Sequence, residues 1–234
     1  MTAVPIAAPE HAPRSFAPRD LAARVHRQMI GYLGLLLPLL LYVVAGTRPL
    51  SPLPRWHLLS SVSAYYYTGA VGIFVGILFA LALFLFAYRG YEGERADRVV
   101  GTIGGVAALG VVMFPTAAPV GIARIPWWQP GLRIVHYVSA TTLFLAFILF
   151  ALWLFRRTGG DPAKRTAGKR RRDLVFLVCG IVMILSVLWA GTTVFTKAPM
   201  FVPETLAIWA FAVSWLVKGG AHQPLKPFVP FIRD

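Results

Sequence analysis

Hydroxyl, imidazole and carboxylate side chains in this chain gather where long apolar runs begin or end. The first group is His57, Ser60, Ser61 and Ser63, followed by Tyr65, Tyr66 and Tyr67. Further along, Arg133 and His136 stand at i and i+3, hence on one face of a helix. Thr192, Thr193 and Lys197 close a later apolar run, and Glu204 opens the last one. An ionisable residue at membrane depth is a functional candidate, and an imidazole or carboxylate there can move a proton. His136 and Glu204 are therefore the acid–base candidates. The plainer expectation is structural. Glu204 lies beside Pro203 in a first helical turn, where the helix dipole favours a carboxylate, and a salt bridge to Arg133 or Lys197 would hold it. No residue is assigned a catalytic role.

Other chemistries find less support. Structural or catalytic zinc uses three or four ligands, often a histidine pair one helical turn apart. His11, His26, His57, His136 and His222 contain no such pair. His57 and His136 alone fall near spans on the same side, and no metal or other cofactor is expected. A GxxxxGK loop is absent, as is the GxSxG elbow of serine hydrolases. Ser139, Ser186 and Ser214 are read as hydroxyls that satisfy helix carbonyls. The single cysteine, Cys179, sits in an apolar run and reads as a buried thiol.

The elements that must position these residues follow from composition. The 234 residues are 57% hydrophobic and 14% charged, against about 25% charged in soluble domains. The expectation is an all-α bundle of six transmembrane helices. The spans are Met29–Gly46, Ala70–Ala87, Val99–Phe114, Leu132–Phe155, Asp173–Phe195 and Pro203–Val217. Residues 1–28 are expected to form a disordered cytoplasmic tail, residues 29–218 the membrane domain, and residues 219–234 a cytoplasmic tail. Lys and Arg divide 18 to 5 between alternate sides of the six spans, which places both termini in the cytoplasm of an inner membrane. The net charge of +14 lies in loops. It therefore argues for anionic lipid at the basic loop Arg156–Arg172, and not for nucleic acid. Small-xxx-small pairs at Gly72 and Gly76 and at Gly101 and Gly105 are expected to pack the second and third spans as a hairpin.

The segments SVSAYYYTGAVGIFVGILFALALFLFAYRGYEG, VVMFPT, IVHYVSA and ETLAIWAFAVSWLVKGG resemble a group of uncharacterised bacterial integral membrane proteins. Ser63, Tyr65–Tyr67, Tyr88, Gly90, Tyr91, Pro115, His136, Glu204 and Lys218 carry the resemblance, which spans residues 29–220. In broader outline the chain is similar to six-span families of the Frag–DRAM–Sfk type. Those families often carry a Ser-Asp-Thr-Gly-like stretch where this chain reads SSVSAYYYTG, without the Asp. The resemblance implies six spans and supplies no catalytic residues.

The outward cluster of His57, Ser61, Ser63, Tyr65, Tyr66, Tyr67, Arg133, His136, Lys197 and Glu204 is thus expected to bind a lipid headgroup or a partner membrane protein. A membrane-embedded enzyme acting on lipid and a purely structural subunit are the alternatives.

Overall fold

The structure, a computed structural model, describes residues 18–48, 55–90, 95–157, 166–196 and 198–221. Within them the chain is all-helical. Its α-helices are α1 (Pro18–Thr47), α2 (Val71–Ala87), α3 (Arg95–Met113), α4 (Pro130–Leu149), α5 (Ala167–Thr196) and α6 (Phe201–Lys218). A 3₁₀ turn, Ser63–Tyr67, precedes α2, and a π-helical turn, Phe150–Leu154, extends α4. Five helices are long and apolar enough to cross a membrane, as in a multi-pass membrane protein. The remaining helix, α2, is uncharged but has 17 residues. That is roughly 25 Å of helix, a little less than the usual hydrocarbon thickness of about 30 Å.

Each helix packs against the next in sequence, and α6 returns to α1, so the six close into an up-and-down ring. Large apolar side chains also cover the outside, with Leu188, Val138 and Val106 each about 60% exposed. A surface of that kind belongs in lipid, where helices associate by close packing and not by the hydrophobic effect.

Glycine supplies much of that closeness. On α1, a methyl group at Gly31 would stand 2.6 Å from Leu216 and one at Gly34 would stand 3.2 Å from Ala212, both on α6. A methyl at Gly101 would lie 2.7 Å from the Leu85 carbonyl oxygen of α2, and one at Gly105 would press on the Phe86 ring. The α2–α3 hairpin is therefore as expected on the α3 side. The α2 side differs. Gly72 and Gly76 are exposed, and a methyl on either meets nothing within 4 Å. The α2 face against α3 is instead built from Leu85, Phe86 and Tyr88.

Three helices, α1, α3 and α5, start a turn or more before their apolar runs. Pro18–Gln28, expected in the tail, are the first turns of α1. Leu21, Ala22, Ala23 and Val25 are compatible with a helix there, and the Gln28 side chain donates to the Gly219 carbonyl at 3.0 Å. Residues 1–17 and 222–234 of the expected tails lie outside the described residues. Helix α5 takes in Lys169–Arg172 because Thr166 caps it, its hydroxyl oxygen accepting from the Lys169 N–H at 3.2 Å. Lys169 also pairs with Asp173 one turn on. Residues 158–165 of the basic loop lie outside the described residues.

Pro38 lies inside α1. In the turn it disturbs, the Trp209 indole N–H donates to the Leu35 carbonyl at 3.1 Å, a partner from α6 for backbone weakened by the proline.

The contrast between glycines gives a test. Gly101→Ala should cost about 1–3 kcal/mol, because a backbone carbonyl cannot move aside. Gly76→Ala should stay within about 0.5 kcal/mol of the parent. Thermal unfolding of the two variants in the same mild detergent separates them.

Candidate functional site

Helix α3 ends at Met113, and the carbonyls of the segment that follows have no intrahelical donor. Three consecutive carbonyls are instead capped by side chains from different places. The Phe114 carbonyl accepts from the His136 ring at 2.7 Å, Pro115 from the Trp128 indole N–H at 3.1 Å, and Thr116 from the Tyr67 hydroxyl at 2.6 Å. This arrangement fixes the imidazole. A carbonyl can only accept, so His136 Nδ1 carries the hydrogen. In the neutral ring Nε2 is then an acceptor, and the Ser63 hydroxyl stands 2.9 Å from it.

Ser63 is held in place by a clasp between its loop and the start of α6. The Ser60 carbonyl accepts from the N–H groups of Met200 and Phe201, at 2.5 and 3.0 Å. These donors at the start of α6 have no acceptor within the helix. In return, Glu204 from the first turn of α6 accepts from the Val62 N–H through Oε2 at 2.6 Å. The expected partner of Glu204 is thereby corrected. Arg133 is exposed and lines neither of the cavities that Glu204 borders. A peptide N–H satisfies the carboxylate from within the bundle, where a cation one loop away would have to be drawn in from the surface. Lys197, the other expected partner, lies outside the described residues.

Between α4, α5 and α6 lies a cavity of about 340 Å³. Ser61, Ser63, Thr116, His136 and Glu204 form its polar end, joined by Thr141 and Ser186. Ala140, Phe144, Val187, Ala190 and Ala207 make it apolar elsewhere. The cavity arises because α5 splays from α4. Near the far end the two are in contact, and a methyl at Gly180 would overlap Leu152. Three turns later a methyl at Gly191 meets nothing within 4 Å. Tyr137 of α4 and Gly191 of α5 line the cavity and are exposed, so its rim lies between α4 and α5. A smaller apolar void of about 50 Å³ continues inward past Ser63 and Glu204 toward Phe74 and Phe211.

Four members of the expected cluster, Ser61, Ser63, His136 and Glu204, therefore converge on one cavity. Of the other described members, His57, Tyr65–Tyr67 and Arg133 do not line it. His57 is exposed, so it cannot share a ligand with the buried His136. Among the described residues no three His, Cys, Asp or Glu side chains gather closely enough to hold a metal ion. The tyrosines pack the 3₁₀ turn against its surroundings. Tyr65 lies against Phe201, with ring centroids 5.6 Å apart, and Tyr66 meets Phe74 edge-on at 6.1 Å. Burial pushes the phenols of Tyr65 and Tyr67 above their usual range, so both stay neutral. Thr192 and Thr193 donate to carbonyls of their own helix, each at 2.7 Å.

The opposite end of the bundle holds a polar group that the sequence reading passed over. Asp97 is buried inside α3, receives the Tyr88 hydroxyl at 3.4 Å and pairs with Arg157 at 3.4 Å. Gly90 lies so close that a methyl there would overlap the Asp97 side chain. Lys218 sits over the Phe155 ring at 5.1 Å and Arg157 over the Trp153 ring at 4.6 Å, both cation–π contacts. The chain matches no protein-family model, no curated protein and no solved structure.

Replacing Glu204 should expose its structural task. Glu204→Ala leaves the Val62 N–H buried without an acceptor and should cost about 1–3 kcal/mol. Glu204→Gln keeps an acceptor oxygen and should cost less, while Arg133→Ala should change little. Melting temperatures of the three variants in detergent check the order, and an Arg133 effect as large as that of Glu204→Ala would restore the ion pair.

Proposed function

We propose that the protein is a six-span membrane protein that binds one amphiphile, its head at the Ser63–His136–Glu204 end of the cavity and its apolar part toward the lipid. The observation that carries this reading is the cavity itself. It is polar at one end and apolar along its walls, and its rim opens between α4 and α5 onto an apolar surface. Ligand sites are commonly apolar pockets with a few converging polar groups, and this one fits a molecule drawn from the bilayer.

The lining also narrows the head chemistry. Among the described residues it contains a carboxylate, an imidazole and several hydroxyls, and no Lys or Arg. A head that donates hydrogen bonds, an amine or a hydroxyl, suits that set. The 18 to 5 division of Lys and Arg supports a cytoplasmic-membrane location with both termini inside. On that topology the cavity faces outward. Arg156, Arg157 and Lys169–Arg172 then lie at the cytoplasmic boundary, where anionic lipid would meet them.

Gly191 offers a direct test, because its position leaves room for a side chain that would intrude into the cavity. Native mass spectrometry of the parent protein in mild detergent should show one retained amphiphile. Gly191→Leu should reduce its occupancy at least tenfold while keeping the melting temperature. Absence of any retained amphiphile from the parent, or equal retention by the variant, would overturn the reading.

A further inference from the structure

We propose that Ser63 is a nucleophile activated by His136, and that the protein transfers or hydrolyses the acyl group of an ester-linked amphiphile lodged in the cavity. The substrate class rests on the binding reading above; the nucleophile rests on its own geometry.

An activated serine needs a base within hydrogen-bond reach and a third group that orients the base. Ser63 Oγ is 2.9 Å from His136 Nε2, and the Phe114 carbonyl, 2.7 Å from Nδ1, selects the tautomer in which Nε2 accepts. A backbone carbonyl here does the orienting that a carboxylate does in the familiar triad. His136 is 2% exposed, so the ring is held, while Ser63 is only partly buried and faces the cavity.

Other described hydroxyls differ from Ser63 in their partners. Ser214 and Thr68 donate to carbonyls three residues back, at 2.7 Å each, the ordinary way a hydroxyl is satisfied in a membrane helix. Ser63 is directed at an imidazole, and it stands at the first position of a 3₁₀ turn and not within a long helix. Glu204 is a positioning residue in this scheme. Its bond to the Val62 N–H fixes the residue next to the nucleophile.

The reaction balances without an oxidant, reductant or metal. As Ser63 Oγ bonds to the ester carbonyl carbon, its proton passes to His136 Nε2 and the carbonyl oxygen becomes an oxyanion. Hydroxyls of Ser61 and Thr116 line the same cavity and can donate to that oxygen. Collapse breaks the bond to the alcohol oxygen, which leaves with the proton from His136, and the acyl group stays on Ser63. Water, or the hydroxyl or amine of a second amphiphile, then attacks the acyl-serine with His136 again taking the proton. Serine is regenerated with a free acid or a new ester or amide as product.

An alkyl fluorophosphonate reports on such a serine directly, since an activated hydroxyl displaces its fluoride far faster than an ordinary serine does. The purified full-length protein in mild detergent should form one adduct, and peptide mapping should place it on Ser63. The adduct should form at least about 100-fold more slowly in His136→Gln and at the parental rate in Ser139→Ala, whose hydroxyl lies against Gly110 of α3 and does not line the cavity. No adduct, or an adduct on a different serine of the parent protein, overturns the proposal, whatever the variants do. Retained amphiphile is read on the same sample. Amphiphile without a Ser63 adduct leaves a binding protein and removes the nucleophile, whereas loss of both removes the two readings together.

Discussion

The clasp between the Ser60–Val62 loop and the first turn of α6 is the contact on which the cavity end of the bundle depends. A helix start leaves N–H groups without acceptors, and a loop leaves both N–H and C=O groups to be satisfied. Here each answers the other: α6 donates to the Ser60 carbonyl and returns the Glu204 carboxylate to the Val62 N–H. Neither demand can be left unmet at membrane depth, where water is scarce and an unpaired polar group costs several kcal/mol. The clasp sets where the 3₁₀ turn begins, and with it the position of Ser63 relative to an imidazole fixed by α3 and α4.

The two ends of the bundle solve the problem of buried polarity differently. At one end Asp97, Arg157, Lys169, Asp173 and Lys218 meet in ion pairs and cation–π contacts. Tyr88, Phe150, Phe155 and Trp215 fill the space between them, with centroids from 4.8 to 5.4 Å apart where Tyr88 meets Trp215 and Phe150. That end is packed. At the other end the polar groups are bonded to backbone and, for Ser63 and His136, to each other; α5 stands away from α4, and a hollow remains.

Much of this was legible in the residues, and the limits have physical causes. Long uncharged runs have one cheap solution in lipid, so the helices fall near their expected positions. His136, Glu204, Ser61 and Ser63 stood out because polar side chains at span edges are few. Their convergence, however, depends on the order of helices around the ring, which no local pattern encodes. Arg133 shared a helical face with His136 in the spacing argument, but three residues also shift a side chain along the axis and around it, enough to leave Arg133 exposed. Asp97 was missed because its turn is rich in charge, and charges in turns read as topology signals. Only the early start of α3 and the room left by Gly90 bring it inside.

If the cavity is filled from the bilayer, as proposed, the rim between Tyr137 and Gly191 changes what concentration means for this protein. A site that opens into water is filled according to the amount dissolved there. A site entered from the bilayer samples molecules already confined to one leaflet, aligned along the normal and moving in two dimensions. An amphiphile present at a few per cent of the leaflet then sits at the rim at an effective level far above its aqueous solubility. On the proposed reading, modest contacts from one carboxylate and a few hydroxyls would suffice for occupancy, and the identity of the occupant would follow leaflet composition as much as pocket shape.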